Sequence, residues 1–269
     1  MPEYPEIACR TAEMNRLLVG KVIQAVEATQ PKCLNLPPDR FTSSLSGSRF
    51  EKFFQRGKWI EGQTNRGWLL LNMGMGGELL LTDRRHLPEK YRLIVDFTDG
   101  SCLAINFWWF GYAHFAGLDA LDQHVLTAKL GQNALELTEP EFTALILSQK
   151  GRLKAFMLDQ TRIAGIGNAY IHDILFLAKL HPQRMISSLT EEEIRNLFAG
   201  MQKGLRTSMD KGGAFYESGL DGKKGGFLME DILVGYREGQ PCPICQTPIT
   251  KIKTGGTSSF ICPSCQPVI

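Results

Sequence analysis

The chain has 269 residues, a length typical of one or two domains rather than of a large multidomain enzyme. Apolar residues make up 43% of it and charged residues 22%, a composition that excludes disordered, collagen-like and coiled-coil proteins. The formal net charge of +2 gives no sign of nucleic acid or anionic membrane, since such partners favour a strongly basic chain.

The first part of the chain predicts one helix and then a β-rich region. A helix is expected from about Pro5 to Leu18, because apolar residues recur there at helical spacing and Gly20 follows its end. From Lys21 to about Phe115, short apolar segments alternate with turn residues, a pattern typical of antiparallel strands. The predicted strands are 22–28, 58–64, 68–73, 78–82, 93–97 and 102–107. Such a series favours a β-sandwich.

The second part of the chain predicts helices. Thr138-x-x-Glu141 and Thr190-x-x-Glu193 form capping boxes, and residues 152–160 and 168–180 have helical spacing. Residues 212–226 are rich in glycine and lack periodicity, which predicts an exposed flexible loop. The fold class is therefore α+β. It comprises an N-terminal β-sandwich domain over 1–120, a linker over 121–137, a helical domain over 138–226 and a cysteine-rich region over 227–269.

The cysteine-rich region carries the most specific spacing. Cys242, Cys245, Cys262 and Cys265 form two C-x-x-C pairs around a segment that can form a β-hairpin through Gly255-Gly256. Four thiolates close a tetrahedral shell and leave no open position, so we expect one structural zinc per chain. The N-terminus has no apolar signal segment, and the longest apolar run is too short to span a membrane. We therefore expect a cytoplasmic protein with no membrane contact. Because the cytoplasm is reducing, the paired cysteines are expected to bind zinc rather than to form disulfides.

The N-terminus MPEYPE places a proline second and a glutamate third. Removal of Met1 is expected because Pro2 is small, and it leaves a secondary amine with a pKa of about 8. Such an amine can attack an electrophilic sugar carbon and form an iminium, while Glu3 can move protons. Taken alone, this pattern is common near a chain terminus and assigns no function.

Several motifs occur together in one order along the chain. They are PEYPE at 2–6, QRGKW at 55–59, NMGMGG at 72–77, LDQTRIAGIGNAYIHDILFLAKLHP at 158–182, VGYREGQPC at 234–242 and the cysteine hairpin. In this combination the sequence closely resembles the formamidopyrimidine-DNA glycosylase / endonuclease VIII family of base-excision repair enzymes, nearer the formamidopyrimidine branch. The resemblance covers essentially the whole chain. It implies that the helical domain is a helix-two-turn-helix DNA-binding domain beside a four-cysteine zinc-finger hairpin.

The resemblance also implies an activity and a partner. It implies a DNA glycosylase with abasic-site lyase activity that removes oxidised or ring-opened bases from damaged DNA, acting as a monomer. Pro2 matches the nucleophile that attacks C1′, and Glu3 matches the acid/base that assists sugar ring opening. Lys58 matches the lysine that bonds the phosphate beside the lesion. Outside this motif, Lys58 would be interpreted as an ordinary exposed lysine.

Further matches concern DNA binding. Asn168 matches an asparagine that holds phosphate, and Gly165 and Gly167 let backbone N–H groups approach that phosphate. Met75 and Phe110 match the apolar side chains that fill the base stack once a nucleotide is extruded. The alternatives are a plain helix cap for the glycines and core positions for Met75 and Phe110.

Basic side chains cluster locally despite the near-neutral total. Residues 149–162 carry four basic side chains against one acidic, and Lys154 is expected to contact DNA from there. A second cluster comprises Lys52, Arg56 and Lys58, and a third comprises Lys251 and Lys253.

Two positions depart from the family pattern. Trp108 stands where the family has an arginine that reads the base opposite the lesion. An indole stacks on a base but cannot donate bidentate hydrogen bonds, so we expect weakened discrimination of that base. The alternative is that Trp108 and Trp109 simply pack the β domain. Thr257 stands where the hairpin arginine clamps phosphate, and Lys253 can replace it only in part, so we expect a salt slope lower by about one.

The leading hypothesis is therefore a zinc-containing DNA glycosylase and lyase with a shifted or broadened substrate choice. A second hypothesis is a glycosylase specialised for alkylated bases, single-stranded DNA or abasic DNA, as Trp108 and Trp109 suggest. A third is a non-catalytic lesion-binding protein. The retained Pro2 and Glu3 argue against it, since a pure binder has no use for a terminal secondary amine.

Overall fold

The structure is a computed structural model that describes residues 1–268, and the chain divides into two compact units. Unit one comprises Met1–Lys129 together with Gly212–Gly226, and unit two comprises Leu130–Lys211 together with the chain from Phe227 onward. The division at Leu130 falls inside the predicted linker. Residues 212–226 differ from the prediction, which placed them in the helical domain.

Residues 212–226 belong to unit one because their backbone is hydrogen-bonded to its elements. Ala214 N donates to Glu6 Oε1 at 3.1 Å, and Leu81 N donates to Leu220 O at 2.8 Å. Ala214 and Leu220 are buried. The prediction of an exposed flexible loop is therefore wrong for 213–220, although most of 221–226 is exposed.

Unit one is a sandwich of two antiparallel four-stranded sheets, which confirms the predicted β-sandwich. The strands are β1 (Ile23–Ala28), β2 (Phe50–Arg56), β3 (Trp59–Thr64), β4 (Gly67–Asn72), β5 (Glu78–Asp83), β6 (Leu93–Phe97), β7 (Ser101–Asn106) and β8 (Tyr112–Ala116). One sheet has the order β1-β6-β7-β5 and the other β2-β3-β4-β8. The helices are α1 (Tyr4–Leu17) and α2 (Pro38–Leu45).

The core of unit one lies between the two sheets and extends under both helices. It includes Ile105 and Val95 from one sheet, Leu69 from the other, and Met14 and Phe41 from the helices. β2, β8 and α2 were not predicted from the sequence. In β2, polar and charged residues interrupt the apolar ones, and α2 is short and begins at the second of two consecutive prolines, so neither shows a clean period.

Unit two is helical with a C-terminal hairpin, as predicted. Its helices are α3 (Glu139–Leu147), α4 (Leu153–Leu158), α5 (Ile171–Leu177) and α6 (Glu191–Asp210). Its strands are the short parallel pair β9 (Gln132–Asn133) and β10 (Ile163–Ala164) and the antiparallel pair β11 (Thr250–Thr254) and β12 (Thr257–Ile261). Both predicted capping boxes are present at the starts of α3 and α6. The hairpin turns at Gly255-Gly256, which confirms the predicted turn.

Candidate functional site

The predicted catalytic residues lie together at the start of α1. Pro2 is buried, and Glu3 is the N-cap of the helix with a backbone N–H that donates to Glu6 Oε2 at 2.9 Å. Lys58 Nζ lies 3.9 Å from Glu3 Oε1, and the Lys58 side chain is 15% exposed. A buried terminal segment is thus bracketed by one carboxylate and one ammonium group.

Lys58 reaches this position because the turn between β2 and β3 is tied to α1. Gly57 adopts a φ of +59° in that turn, a conformation that favours glycine. The Gln55 side-chain amide donates to the carbonyl oxygens of Tyr4 and Gly57, each at 3.0 Å. The turn and the helix start are therefore held as one piece, which fixes where the Lys58 ammonium group points.

A third carboxylate, Glu217, lies at the same terminus, and the sequence analysis missed it. Glu217 is 8% exposed, and its Oε1 lies 3.8 Å from the amino nitrogen of Met1. Burial raises the pKa of Glu217 to about 7; the neighbouring Glu6 carboxylate adds to the rise, and the terminal amine opposes it. No local pattern signals this residue, because some 200 residues of chain separate it from Pro2.

Pro2 and Glu217 both line a small pocket in unit one. Its volume is about 10 Å³, room for about one water molecule. The pocket is lined by Pro2, Glu6, Arg10, Met73, Gly77, Leu79, Glu217 and Ser218. It therefore places the side chain of the predicted nucleophilic residue beside two carboxylic acids and one guanidinium group.

Four large apolar side chains form an exposed patch on unit one, here named the aromatic patch: Met75, Trp108, Trp109 and Phe110. Their exposed fractions run from 44% for Met75 to 68% for Phe110. The alternative interpretation, that these residues pack the core of the β domain, is therefore wrong. Exposed apolar groups of this size mark a binding surface more often than a fold element.

The aromatic patch is held by its backbone. Met75 N donates to Trp109 O at 2.9 Å, and Trp108 N donates to Met75 O at 3.2 Å. Gly74 has a φ of +55°, and a Cβ there would lie 2.1 Å from Trp109 O, so no other residue fits. The Lys90 ammonium group lies over the Trp108 ring at 5.4 Å from its centroid, a cation–π contact.

In unit two, the predicted phosphate-binding residues Gly165, Gly167 and Asn168 lie in the segment directly before α5. Gly165 has a φ of +107°, and its N–H donates to Gln160 Oε1 at 3.0 Å, while Gly167 is buried. Asn168 Nδ2 donates to the hydroxyl of Tyr236 at 3.3 Å. Asn168 Oδ1 is buried without a hydrogen-bond partner among the described residues, so this amide has unused bonding capacity.

Tyr236 is a further candidate for the phosphate-binding site, because its hydroxyl contacts Asn168. From the sequence it was noted only as part of the motif at 234–242 and was given no role. Buried Asp173 accepts hydrogen bonds from the backbone N–H groups of Leu233, Val234 and Gly235, at 2.8 to 3.0 Å. This anchoring presents Tyr236 in a left-handed conformation, with φ of +60° and about half of its surface exposed. The Tyr236 hydroxyl thereby lies beside Asn168.

Lys154 occupies an unexpected position. It is 4% exposed, and its Nζ donates to Thr254 Oγ1, Thr257 Oγ1, Ser258 O and Ser259 Oγ at 2.7 to 3.4 Å. Desolvation by burial lowers its pKa to about 8. The ammonium group is therefore enclosed in the hairpin rather than displayed in a basic cluster, and the DNA contact predicted for Lys154 stays a prediction.

The residues at the end of the hairpin are exposed. Thr257 and Lys253 both face solvent, and Gln183 donates from its amide to Lys253 O at 3.2 Å. A pocket of about 230 Å³ lies at this end, lined by Arg152, Lys154, Ala155, Leu158, Pro182, Gln183, Thr254, Gly255, Gly256 and Thr257. Lys154 is therefore enclosed at this end of the hairpin, while the exposed Thr257 is neutral.

The four cysteines of the tail converge as the spacing predicts. The Sγ atoms of Cys242, Cys245, Cys262 and Cys265 all lie within 4.8 Å of one another. Sγ of Cys245 is 3.4 Å from that of Cys262 and 3.5 Å from that of Cys265. Ligands at about 2.3 Å from a tetrahedral zinc lie about 3.8 Å apart, so the donor set fits zinc.

No helix among residues 1–268 is both long enough and apolar enough to cross a bilayer.

Models of protein families match three parts of the chain. Residues 1–106 match the formamidopyrimidine-DNA glycosylase N-terminal domain, and residues 130–218 match the formamidopyrimidine-DNA glycosylase H2TH domain. Residues 239–268 match a zinc finger found in FPG and IleRS. With the cysteine geometry, this match identifies the tail as a four-cysteine site for one structural zinc.

Relatives and solved structures match over nearly the whole chain. The formamidopyrimidine-DNA glycosylase of Methylobacillus flagellatus is 34% identical over 99% of this chain and 96% of its own length. That of Streptococcus mutans is 31% identical, with 99% of each chain covered. The Lactococcus lactis Fpg in complex with abasic-site DNA superposes with a TM-score of 0.91 at 26% identity, covering 99% of this chain and 100% of that one. The same enzyme with oxidised-pyrimidine DNA gives a TM-score of 0.89 at 27% identity, with the same coverage.

Proposed function

Because this chain belongs to the formamidopyrimidine-DNA glycosylase family, we propose that its Pro2, Glu3 and Lys58 carry out the family's reaction on damaged DNA. Membership makes the protein a DNA glycosylase with abasic-site lyase activity. The observation that supports these residue roles is their convergence, since Pro2 is buried and Lys58 Nζ lies 3.9 Å from Glu3 Oε1. Its proposed location is the cytoplasm, where it acts on DNA.

Each residue has one task in the proposed reaction. After removal of Met1, the secondary amine of Pro2 attacks C1′ of the damaged nucleotide and the base leaves. Glu3 then protonates the sugar ring oxygen, so that the ring opens and a Schiff base forms. Lys58 holds the phosphate beside the lesion through its ammonium group. Asn168 is proposed to hold phosphate from unit two through the Nδ2 hydrogen that it does not donate to Tyr236.

Borohydride trapping tests the roles of Pro2 and of the lyase step. A protein whose Pro2 terminus is verified by mass spectrometry is expected to form a covalent adduct on duplexes carrying an oxidised purine, an oxidised pyrimidine or an abasic site. Pro2→Gly is expected to abolish the adduct and to spare DNA binding, while Pro5→Gly, a change at the same helix start, keeps it. Absence of any adduct from the protein with free Pro2 would rule out the proposal.

The aromatic patch favours weak discrimination of the base opposite the lesion. Trp108 cannot make the bidentate hydrogen bonds of the family arginine, but its exposed ring can stack on an unpaired base for about 1–3 kcal/mol. We expect base release that changes little among the four opposite bases and that persists on single-stranded DNA. Trp108→Ala should lower the rate on every substrate, Trp108→Phe should retain most of it, and Trp108→Arg should introduce a preference. A strong preference of the unaltered protein for one opposite base would contradict this expectation.

A further inference from the structure

The segment 212–226 brings a carboxylate to the reactive terminus from a distant part of the chain. Three contacts fix this segment to α1: Glu6 accepts from Ala214 N at 3.1 Å, Glu13 accepts from Leu220 N at 2.9 Å, and Arg10 donates to Gly212 O at 3.3 Å. Glu217 lies between these anchors, with its Oε1 3.8 Å from the Met1 amine. Its position is therefore set by the backbone hydrogen bonds of its segment rather than by hydrogen bonds of its own side chain.

Glu217 is the carboxylate in this pocket that is free to exchange a proton. Both oxygens of Glu6 accept backbone hydrogen bonds, one from Glu3 N and the other from Ala214 N. Glu3 is ion-paired with Lys58 and is already assigned to the sugar ring oxygen. Glu217 makes no side-chain hydrogen bond within the described residues, and its ion pair there is with the amino nitrogen of Met1, the residue whose removal exposes the Pro2 nitrogen.

We propose that Glu217 is the proton acceptor for the terminal amine, a second acid/base residue of the reaction that works opposite Glu3. This inference rests on the proposed function, because it requires the amine of Pro2 to be the nucleophile. Pro2 and Glu217 line the same pocket, so the nitrogen that removal of Met1 exposes belongs to a residue that neighbours this carboxylate.

The proton balance of the reaction requires such an acceptor. When the neutral amine attacks C1′, the N–C1′ bond forms, the base leaves with the electron pair of the broken bond, and the nitrogen, now positively charged, still carries one hydrogen. To form the iminium, the nitrogen must release that proton as its electron pair forms the N=C1′ bond and the C1′–O4′ bond breaks. Glu3 gives a proton to O4′, and Glu217 takes the proton from nitrogen. A single carboxyl group cannot give a proton to O4′ and take one from the nitrogen at the same moment. Two carboxyl groups at the same terminus, Glu3 and Glu217, can carry out the two transfers together.

The groups that face Glu217 tune it for this exchange. Burial raises its pKa to about 7, Glu6 of α1 raises it further, and the terminal amine, Lys224 and Arg10 of α1 act in the opposite direction. A pKa close to ambient pH lets a carboxylate take up and release a proton in each turnover. An ordinary exposed glutamate would hold a transferred proton too weakly.

The test is the pH profile of borohydride-trapped adduct formation in single turnover on abasic-site DNA. With the natural residue, the rate should rise through about pH 7 as Glu217 ionises. Glu217→Gln keeps size and burial but cannot accept a proton, and it should lower the rate by at least about tenfold near neutral pH and remove that inflexion. Glu217→Asp should restore part of the rate. Glu51→Gln, an exposed glutamate on β2, is the control and should behave as the natural protein.

The outcomes separate this inference from the proposed function. If the natural protein forms no adduct, the proposed function fails. If it forms an adduct and Glu217→Gln retains the natural rate and inflexion, only the role of Glu217 is overturned. If Glu217→Gln lowers the rate equally at every pH, Glu217 acts through structure alone and the proposal is again overturned. If Glu217→Gln does not fold, Glu217→Asp takes its place in the test. The proposal is then overturned if the pH profile of the natural protein has no inflexion, or if Glu217→Asp leaves the pH of that inflexion unchanged.

Discussion

Unit one and unit two assemble their polar groups in opposite ways. In unit one, the groups around the terminal amine come from α1, from the β2–β3 turn and from residues 212–226, which are far apart in sequence. In unit two, the four cysteines and the hairpin between them lie within the one segment from Cys242 to Cys265. The first arrangement depends on tertiary packing, whereas the second depends on local spacing and a metal.

The two arrangements also differ in how fully their buried charges are satisfied. Lys154 in unit two donates to four oxygen atoms and is enclosed, while the Glu217 carboxylate in unit one has, among residues 1–268, only an ion pair at 3.8 Å with the Met1 amine. A fully hydrogen-bonded buried charge holds one conformation, whereas a buried carboxylate without side-chain hydrogen bonds can change protonation without breaking any. We infer that unit two uses its buried charge for rigidity and unit one uses its own for chemistry.

The largest expected effect comes from removing the metal of unit two. Cys262→Ser, or treatment with a chelator, should abolish zinc binding and unfold the hairpin, because binding of structural zinc contributes about 10–16 kcal/mol. Hydrogen exchange should show lost protection over residues 240–266 and unchanged protection in the sandwich of unit one. Cys9→Ser, outside the cluster, should keep one zinc per chain. Loss of protection in both units alike would show that the two are not independent in stability.

A smaller effect is expected from the pH dependence of unit one. The folded pKa of Glu217, about 7, lies above its ordinary value of 4.5, so the folded state binds an extra proton between these values. The stabilisation by this proton is fully present below 4.5 and is lost as pH rises through about 7, a change of up to about 3 kcal/mol in the free energy of unfolding. Denaturant titrations at several pH values should show this slope, and Glu217→Gln should flatten it. An unchanged slope in that variant would assign the pH dependence to other groups.

The smallest effect is expected at the enclosed lysine. Lys154→Met removes a charged donor from four acceptors and should lower the free energy of unfolding of unit two by about 2 kcal/mol. Lys150→Met, at an exposed position, should change it little. Thermal unfolding followed by hydrogen exchange in β11 and β12 measures both. A variant at Lys154 as stable as the natural chain would mean that desolvation of the ammonium group cancels its hydrogen bonds.

Local chemistry could be predicted from the sequence, and long-range packing could not. The capping boxes at Thr138 and Thr190, the Gly255-Gly256 turn and the cysteine cluster each depend on residues a few positions apart, and all four are present. Glu217 was missed because nothing near it in sequence indicates what it packs against. Lys154 was grouped with exposed basic residues, since a sequence gives charge but not burial.

The contact of Gly74 with Trp109 has a thermodynamic consequence for the aromatic patch. The two loops that carry the patch are already joined by backbone hydrogen bonds, and Gly74 permits an approach that a Cβ would block. Ordering a loop of this kind on binding would cost about 1–2 kcal/mol of backbone entropy per residue. Here that entropy is lost when the protein folds, so insertion of Trp108 beside a flipped nucleotide should carry little conformational entropy change of its own.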